Sequence, residues 1–475
     1  MEYATVGNQR LKNHNIMKQL RWIGLVLITG IAGIMSLSSF QNQGSMSSEL
    51  PDEKQTSSYL HYRSAFENPY YLRDQRTGHF YAEVKGGELN SGRQQVPLNL
   101  AVVIDRSGSM AGEKIQFAKE AARYLVDQLS PDDYISIIAY DGSVDVIQES
   151  VPVSNKYQIK SRIDMIFDRG STNLMGGAMA GYEQVKKHFH SAYINRVLLL
   201  SDGLANVGIT DPLRIRNIVR TKNEMDGISI STFGVGRDYN EDLMTAMAEN
   251  GSGNYYFIDR STEIPRIFRD EIRNLNEVAA QQVQLKIQIP DFVQIEKVYG
   301  CNYQQNGRVL TVQLHDVFEN ETKGILIRYS VQQGMNLPVQ FYSSLSYMVG
   351  DSRRKQHDFS DRSDFTNNRS LFQNSFNDWV SAQVALYESN EMLESAMKEV
   401  DKGNYREARE LVKKNDEYMR SKPAAVQQSN EWKQAAGTNA DYHTKLDNVE
   451  SLSEDEVKYM QKDSKNTSYK LRNKK

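Results

Sequence analysis

Apolar and polar residues follow a repeating pattern in the region between residues 98 and 275. Between residues 98 and 275, short apolar runs that predict strands alternate with stretches in which apolar residues recur every three or four positions, as in amphipathic helices. The first run, Leu98 to Ile104, is apolar except for Asn99, and a helical pattern follows it from Ile115 to Leu129. A continuous apolar strand that leads directly into such a helix is typical of a βαβ unit.

Five further strands are expected in this region, at residues 134–140, 144–149, 197–200, 228–235 and 254–258. Helical patterns lie between them at 157–167 and 174–188, and a closing helix is expected at 263–275. The run at 144–149 alternates between apolar and polar residues, as a strand at a sheet edge does. Strands that alternate with helices predict an α/β fold with a doubly wound, mostly parallel six-stranded sheet.

A different pattern begins near residue 283, where short runs of alternating apolar and polar residues follow one another without helical stretches between them. These runs lie at residues 283–289, 292–298, 308–314, 324–331 and 339–349, and polar turns separate them. They predict an antiparallel β-sandwich over residues 278–350. Upstream, residues 46–96 predict a linker, polar and flexible up to about residue 65, with a strand from the weak alternation at 79–89.

The last quarter of the chain is more polar. Residues 351–376 predict a linker, and residues 377–425 predict two amphipathic helices that form a hairpin around Gly403 and Asn404. The hairpin loosely resembles a single tetratricopeptide-type repeat, which cannot bury its apolar face alone, so we expect it to pack on the sandwich or on a partner. Residues 426–475 predict a polar, partly disordered tail, and its basic end leaves binding to an anionic surface as an alternative.

Composition restricts the class of protein. A chain of 475 residues is too long for one core, so two or three domains are expected. The formal net charge of −3 gives no sign of nucleic-acid binding. The single cysteine, Cys301, excludes an intramolecular disulfide, and we assign it no role.

The N-terminal 45 residues predict a cytoplasmic basic stub and a signal anchor. Lys12, Lys18 and Arg21 precede the charge-free stretch from Trp22 to Leu37, and a membrane helix is expected over residues 22–40. The basic flank should stay in the cytoplasm, so the bulk of the chain is expected to be exported into the cell envelope, on the periplasmic or extracellular side of the inner membrane. Cleavage near residues 36–38 is the alternative, and it would release the protein.

Candidate chemistry lies at the end of the first strand. The sequence there is Asp105-Arg106-Ser107-Gly108-Ser109, which follows the carboxyl end of a parallel strand, where open α/β sheets bind their ligands. One carboxylate and two hydroxyls at alternate positions are hard oxygen donors that suit Mg²⁺, Ca²⁺ or Mn²⁺. Taken alone, however, the same residues favour a helix N-cap followed by turn serines over a metal site.

Two further stretches favour a metal site over the helix N-cap. Thr172 lies just before a predicted helix, and Asp202 directly follows the strand that ends at Leu200. With these residues the region resembles a von Willebrand factor A (VWA) domain that carries a metal-ion-dependent adhesion site. The family's motif is complete at five positions, namely Asp105, Ser107, Ser109, Thr172 and Asp202. The resemblance covers residues 97–277, and it is greatest to a bacterial branch termed calcium-activated-channel-like and to the inter-alpha-trypsin inhibitor heavy chains.

This resemblance implies both an architecture and a function. In similar bacterial proteins the domain is inserted between strands of a sandwich, so the strand near residues 80–84 should pair with the region after residue 278; an independent β-domain with a loose N-terminal hairpin is the alternative. The resemblance implies that Ser107 and Ser109 ligate the ion directly, that Thr172 does so directly in the ligand-competent state, and that Asp105 and Asp202 ligate it mainly through water. An acidic side chain of a partner protein then completes the coordination shell.

We therefore expect an adhesion or interaction protein that binds Mg²⁺, with Mn²⁺ or Ca²⁺ as alternatives, and not an enzyme. A scaffold or signalling protein whose metal is mainly structural is the second hypothesis. A metal-dependent hydrolase is the least favoured class, because no histidine falls near the predicted site and no Gly-x-Ser-x-Gly or His-Glu-x-x-His motif occurs.

Overall fold

The computed structural model describes residues 54–55, 58–88, 96–350 and 354–473. The predicted basic stub and membrane helix, residues 1–45, lie outside the described residues. Within the described ranges, no helix combines the length and the apolar character that a membrane span requires.

The strands of the described residues are, in chain order, β1 (Lys54–Gln55), β2 (Leu60–Phe66), β3 (Tyr70–Tyr71), β4 (Thr77–Gly86), β5 (Leu98–Asp105), β6 (Tyr134–Tyr140), β7 (Val144–Pro152), β8 (Ile194–Ser201), β9 (Ser229–Val235), β10 (Ser252–Ile258), β11 (Val278–Gln288), β12 (Val293–Tyr299), β13 (Tyr303–Asn306), β14 (Val309–Phe318), β15 (Thr322–Val331), β16 (Val339–Met348) and β17 (Lys355–Phe365).

The α-helices of the same residues are α1 (Glu113–Gln128), α2 (Lys156–Asp164), α3 (Leu174–Lys187), α4 (Pro212–Asp226), α5 (Glu241–Asn250), α6 (Ile264–Asn276), α7 (Arg369–Gln373), α8 (Asp378–Asp401), α9 (Tyr405–Arg420), α10 (Ala424–Gln427), α11 (Asn430–Asp447) and α12 (Glu454–Asn473).

The central sheet has six strands in the order β10-β9-β8-β5-β6-β7, and only the edge strand β7 runs antiparallel to its neighbour. Every residue of β5 and of β8 is buried, because helices cover both faces of the sheet. Leu100 and Val102 of β5 face a core shared with α1 and α6, whereas Val103 faces a core shared with α3 and α5. The predicted doubly wound α/β fold is therefore confirmed.

The central domain is an insertion between strands of a β-sandwich, as expected. Strand β4, which precedes the domain, pairs antiparallel with β15, which follows it, and Ala82 lies opposite Ile325. The two sheets have the orders β1-β2-β4-β15-β12 and β13-β14-β11-β16-β17-β3. Aromatic rings fill the space between the sheets: Phe80 and Phe341 have their centroids 5.1 Å apart, and Phe66 packs against both. An independent β-domain with a loose hairpin is excluded.

Two predicted linkers contain regular structure. Residues 60–66, placed in the flexible linker, form β2, whose buried residues Leu60, Tyr62 and Phe66 alternate with half-buried ones. The linker predicted at 351–376 contains β17 and the short helix α7. The prediction failed at β17 because most of the strand is polar: it pairs with the edge strand β3 only through its last two residues, and Phe359 stacks on Tyr62 with centroids 4.4 Å apart.

The predicted helical hairpin is present as α8 and α9, and α8 packs on the sandwich. The Trp379 ring lies 4.9 Å from the ring of Tyr81 on β4, and the Tyr387 hydroxyl donates a hydrogen bond to the carbonyl oxygen of Gly324 at 3.0 Å. The hairpin therefore buries its apolar face within its own chain, by the first of the two routes that the sequence left open.

The prediction of a partly disordered tail at 426–475 is wrong for most of that segment. Helix α11 buries Trp432, Tyr442 and Leu446 against the hairpin, and α12 packs against α8 and the central domain. Much of what α12 buries is polar, including Lys462 and Ser464. A helix that buries polar side chains lacks the apolar periodicity from which a packed helix is predicted.

Candidate metal centre

The five predicted ligands lie on three loops at the carboxyl ends of neighbouring parallel strands. Asp105 is the last residue of β5, and Ser107 and Ser109 follow in the turn before α1. Asp202 directly follows β8, the strand next to β5, and Thr172 lies two residues before α3. The parallel register, in which Ile104 lies opposite Leu200, places both strand ends at one edge of the sheet.

Direct contacts join these side chains into one cluster. The Ser107 and Ser109 hydroxyl oxygens lie 3.1 Å apart, and the Ser109 hydroxyl donates to Oδ1 of Asp202 at 2.7 Å. Thr172 belongs to the same cluster, since a methyl group added at Gly203 would lie 3.1 Å from its Oγ1 and 3.7 Å from the hydroxyl oxygen of Ser109. The structure thus brings all five predicted residues together, and a side chain at position 203 would crowd the hydroxyl of Thr172.

Asp105 is held from both sides. Its Oδ1 accepts a hydrogen bond from the backbone N–H of Ser107 at 2.8 Å, and its Oδ2 accepts one from the hydroxyl of Ser201 at 2.6 Å. Asp105 is fully buried, and this burial raises the pKa of its carboxyl group to about 6 although the hydrogen bonds from Ser201 and Ser107 act in the opposite direction. A buried carboxylate of this kind favours a nearby cation, because removal from water penalises its charged form.

The Thr172 loop is fixed by a residue that sequence reasoning missed. The backbone N–H of Thr172 donates to Oδ1 of Asn206 at 2.9 Å, and its carbonyl oxygen accepts hydrogen bonds from the backbone N–H groups of Asn206 and Val207, both at 3.2 Å. Ser201 was missed in the same way. Both Asn206 and Ser201 lie within four residues of Asp202, so proximity to a predicted ligand is the one signal that the sequence offered for them.

Charged residues tie the Asp105 turn to the Thr172 loop from the outside. Arg106 and Arg169 both donate from Nε to Oδ2 of Asp141, at 3.0 Å and 2.7 Å. Burial alone would raise the pKa of Asp141, but hydrogen bonds from Ser143 and Arg169 and the charge of Arg106 hold it well below its usual range. This network fixes the position of the Asp105 turn relative to the Thr172 loop beside the site.

Lys114, on the first turn of α1, is the cation nearest to the cluster in the described contacts. Its Nζ lies 2.5 Å from Oδ2 of Asp202, whose side chain is completely buried. The cluster therefore holds two carboxylates, three hydroxyls and one ammonium group, which leaves an excess of one negative charge. Its donors are all hard oxygens, and this donor set fits Mg²⁺, Mn²⁺ or Ca²⁺.

The histidines of the central domain lie away from this cluster. His188 stacks on Tyr134, with centroids 4.2 Å apart, and His190 packs against Tyr193. Tyr134 is the first residue of β6, whereas Asp105 lies opposite Tyr140, the last residue of that strand. Both histidines therefore lie at the opposite edge of the sheet from the five clustered side chains.

Sequence comparison identifies relatives of the central domain. Residues 99–270 match the family model of the von Willebrand factor type A domain. The protein YfbK of Escherichia coli is 38% identical over 192 residues, which cover 40% of this chain and 33% of YfbK. The human inter-alpha-trypsin inhibitor heavy chain H3 is 30% identical over 184 residues, which cover 37% of this chain and 20% of the heavy chain. The similarity thus spans a third or less of either relative's length.

A solved structure extends the likeness of fold beyond this domain. The von Willebrand factor type A protein from Catenulispora acidiphila superposes with a TM-score of 0.66 at 14% identity, over 83% of this chain and 91% of that one. At this level of identity the superposition shows a shared fold. Taken with the family match and the six-stranded sheet, it shows that residues 99–270 form a von Willebrand factor type A domain.

Proposed function

We propose that the VWA domain binds a partner protein through a divalent cation, Mg²⁺ before Mn²⁺ or Ca²⁺, held by Asp105, Ser107, Ser109, Thr172 and Asp202. The observation that supports this most is the convergence of five oxygen-bearing side chains from three loops into one hydrogen-bonded cluster. Hydroxyl groups are neutral ligands, so much of the charge of a divalent ion would stay uncompensated there. The ion would supply a positive centre able to take a carboxylate of the partner as a ligand.

The burial of the cluster supports a site that opens in one direction. Asp105, Asp202 and Thr172 are each less than 5% exposed, whereas Ser109 is exposed to solvent. The two carboxylates thus lie beneath the hydroxyl of Ser109, and a partner would approach from the Ser109 side. An incoming acidic side chain then adds a negative charge near buried carboxylates, which is favourable only when a cation lies between them.

We favour binding over catalysis because of where the proton-transferring groups lie. A metal-dependent hydrolase needs a general base within reach of a metal-bound water. His188 and His190 lie at the far edge of the sheet, and Lys114 forms an ion pair with Asp202. Neither arrangement supplies a free base beside the cluster.

We also propose that the protein acts in the cell envelope, anchored by the charge-free stretch from Trp22 to Leu37 after its basic flank. Separation of membranes from soluble fractions, followed by protease treatment of intact and opened cells, tests this location. Recovery of the intact chain in the soluble cytoplasmic fraction would contradict it.

The metal is tested by calorimetric titration of the full chain with MgCl₂. We expect saturable binding in the wild type and at least about tenfold weaker binding in Thr172→Ala, since loss of a ligating oxygen removes a coordinate bond. Ser171→Ala is the matched control, because this exposed neighbour carries a hydroxyl outside the cluster. Equal affinities in the three proteins would exclude the proposed ligand set.

The partner is tested by capture from an envelope extract on the same three proteins, with Mg²⁺ or with EDTA. A protein retained by the wild type and by Ser171→Ala in Mg²⁺, but not by Thr172→Ala and not in EDTA, would support metal-dependent adhesion. Metal binding without metal-dependent capture would favour the scaffold hypothesis, in which the ion is mainly structural.

A further inference from the structure

Exposed apolar and basic side chains flank the proposed metal centre along the loop and helix that follow Asp202. Leu204 lies two residues after Asp202 and is 55% exposed, and Leu213, in the first turn of α4, is 64% exposed. Three arginines follow on the same helix. We call five residues the α4 flank, namely Leu204, Leu213, Arg214, Arg216 and Arg220.

The loop that leads to α4 is part of the metal centre. The backbone N–H of Asn206 donates to the carbonyl oxygen of Thr172 at 3.2 Å, and a methyl group added at Gly208 would lie 2.6 Å from Oδ1 of Asn173. Helix α4 begins at Pro212, four residues after Gly208, so its first turn lies within roughly 15 Å of this loop. Because α4 connects the parallel strands β8 and β9, it starts at the edge of the sheet where the five ligands cluster.

The arginines of the flank lack acidic partners among the described residues. Nε of Arg216 donates to the carbonyl oxygen of Pro212 at 3.3 Å, and Nη2 of Arg220 donates to the amide oxygen of Asn217 at 3.2 Å. The described ion pairs of α4 involve Lys222 instead. By contrast, several exposed arginines on α1 and α6 pair with aspartates. The positive charge of the flank is therefore available to an external ligand.

The position of these charges does not favour the helix itself. The first nine residues of α4 contain three arginines and no acid, and the only carboxylate at this end is that of the N-cap Asp211, which accepts the backbone N–H of Arg214 at 2.6 Å. The amino-terminal end of a helix carries a partial positive charge, so acids stabilise it and cations do not. Arg214 lies in that first turn. Helix stability thus gives no reason for the arginines, whereas an acidic ligand does.

We propose that the α4 flank is a second contact for the same partner, which presents an acidic protein segment. One carboxylate of the segment ligates the ion, further aspartates or glutamates pair with Arg214, Arg216 and Arg220, and apolar side chains between the acids contact Leu204 and Leu213. This inference rests on the proposed function, because it extends the metal contact along the same edge of the sheet.

The two contacts select the same chemistry. A divalent ion takes carboxylate oxygens as ligands, and a guanidinium group binds a carboxylate through two parallel hydrogen bonds. The flank continues the surface from which a partner carboxylate would reach the ion, and this continuity favours an acidic protein segment over an anionic lipid surface.

The probe is a displayed library of random dodecapeptides, selected on the full chain in MgCl₂ and again in EDTA. We expect magnesium-dependent peptides that carry further acids besides the one required by the ion, with apolar residues between them. The double variant Arg214→Gln, Arg220→Gln should select magnesium-dependent peptides with a single acid. The matched control, Arg123→Gln with Arg273→Gln, removes two exposed arginines from α1 and α6 on the opposite face of the sheet and should select as the wild type does.

Fluorescence anisotropy with the most enriched peptide measures the size of the effect. Its binding should weaken by about three- to tenfold in the double variant and by less than about twofold in the control. The wild-type affinity should also fall more steeply with added salt than that of the double variant, because salt screens the contacts of the arginines. All three proteins should bind Mg²⁺ alike, since none of the exchanged arginines contacts the ligand cluster.

The outcomes separate this inference from the function on which it rests. If the wild type selects no magnesium-dependent peptide, metal-dependent binding is contradicted and the inference is overturned with it. Magnesium-dependent peptides of equal acid content from the wild type and the double variant would overturn the role of the α4 flank alone. Binding to phosphatidylglycerol vesicles that requires the arginines but not Mg²⁺ would assign the flank to an anionic membrane and also overturn the proposal.

Discussion

The hydroxyl oxygen of Tyr469 accepts a hydrogen bond from the backbone N–H of Tyr255 at 3.1 Å. Tyr469 lies near the end of α12, and Tyr255 lies on β10 of the VWA domain, 214 residues earlier in the chain. Their rings meet edge to face with centroids 5.6 Å apart, and Tyr469 is buried within the apolar core that the domain builds on that face. The last helix therefore completes the core of a domain that the chain left near residue 276.

Truncation of Tyr469 should release this end of α12. Tyr469→Ala removes a buried ring, so we expect it to lower the free energy of unfolding by about 2–4 kcal/mol. Tyr469→Phe keeps the ring and loses only the acceptor, so its cost should be about 1 kcal/mol. Urea unfolding measures both, and limited proteolysis should cut α12 first in the alanine variant. Wild-type stability of Tyr469→Ala would contradict the docking.

The stability of the contact between α12 and α5 should also depend on pH. Oε2 and Oε1 of Glu241, in the first turn of α5, accept hydrogen bonds from Lys462 and Lys465, both at 2.6 Å. Burial would raise the pKa of Glu241, but the two lysines lower it to about 2, below its ordinary value of 4.5. A lowered folded-state pKa contributes stability above the ordinary value, and that stability is lost as the pH falls towards 2.

We therefore expect the free energy of unfolding to decline between pH 4.5 and pH 2 more steeply in the wild type than in Glu241→Gln. At pH 7 the variant should be the less stable of the two, because the neutral amide loses the attraction of both lysines. Denaturant titrations across this pH range measure the difference. Parallel curves for the two proteins would show that the Glu241 contact does not stabilise the fold.

A buried ion pair joins the central sheet of the VWA domain to helix α6. Nη1 of Arg196 on β8 lies 3.1 Å from Oε1 of Glu271 on α6, and both side chains are at most 1% exposed. Arg196→Met should cost about 3–5 kcal/mol, because it leaves the carboxylate of Glu271 buried without its cation. The double variant Arg196→Met, Glu271→Gln should cost less than the sum of the single changes. Denaturant unfolding provides this cycle, and strict additivity would contradict the coupling.

Lys114 should weaken the proposed metal site. Its ammonium group lies 2.5 Å from Oδ2 of Asp202, so a divalent ion would be bound next to a like charge. Removal of a unit charge about 5 Å away is worth roughly 1 kcal/mol in a solvent-screened setting, which corresponds to an affinity about fivefold higher. We therefore expect tighter Mg²⁺ binding by Lys114→Met and unchanged binding by Lys160→Met, which alters a lysine paired with Asp127. Weaker binding by Lys114→Met would instead show that the lysine orients Asp202.

Ser201 should support the metal without touching it. Its hydroxyl orients Asp105 by a 2.6 Å hydrogen bond, and loss of such a contact to a ligand typically costs about 10- to 100-fold in metal affinity. Ser201→Ala should therefore bind Mg²⁺ at least tenfold more weakly. Ser136→Ala is the matched control, since it removes an equally buried strand hydroxyl, hydrogen-bonded to the carbonyl oxygen of Leu100. Similar affinities in the two variants would contradict the role of Ser201.

The sequence by itself determined the central fold and the candidate ligands. Strands β5 and β8 are buried on both faces, so they appear as continuous apolar runs, and the residues at their ends could be located without coordinates. The sandwich strands alternate in the same readable way because each has one face in the core. These features depend on neighbours along the chain, which is why local patterns were sufficient. The binding of metal by these residues stays a prediction.

Only the tertiary structure decided the rest. Ser201, Asn206 and Lys114 acquire their places through contacts with residues from other loops, which no local pattern records. Helix α12 buries Lys462 because the carbonyl oxygen of Tyr239 and the carboxylate of Glu241 accept its hydrogen bonds, so the sequence of the helix resembles that of a solvated tail. A charged group such as Lys462 is buried where distant residues accept its hydrogen bonds, and those distant contacts are what the sequence alone does not contain.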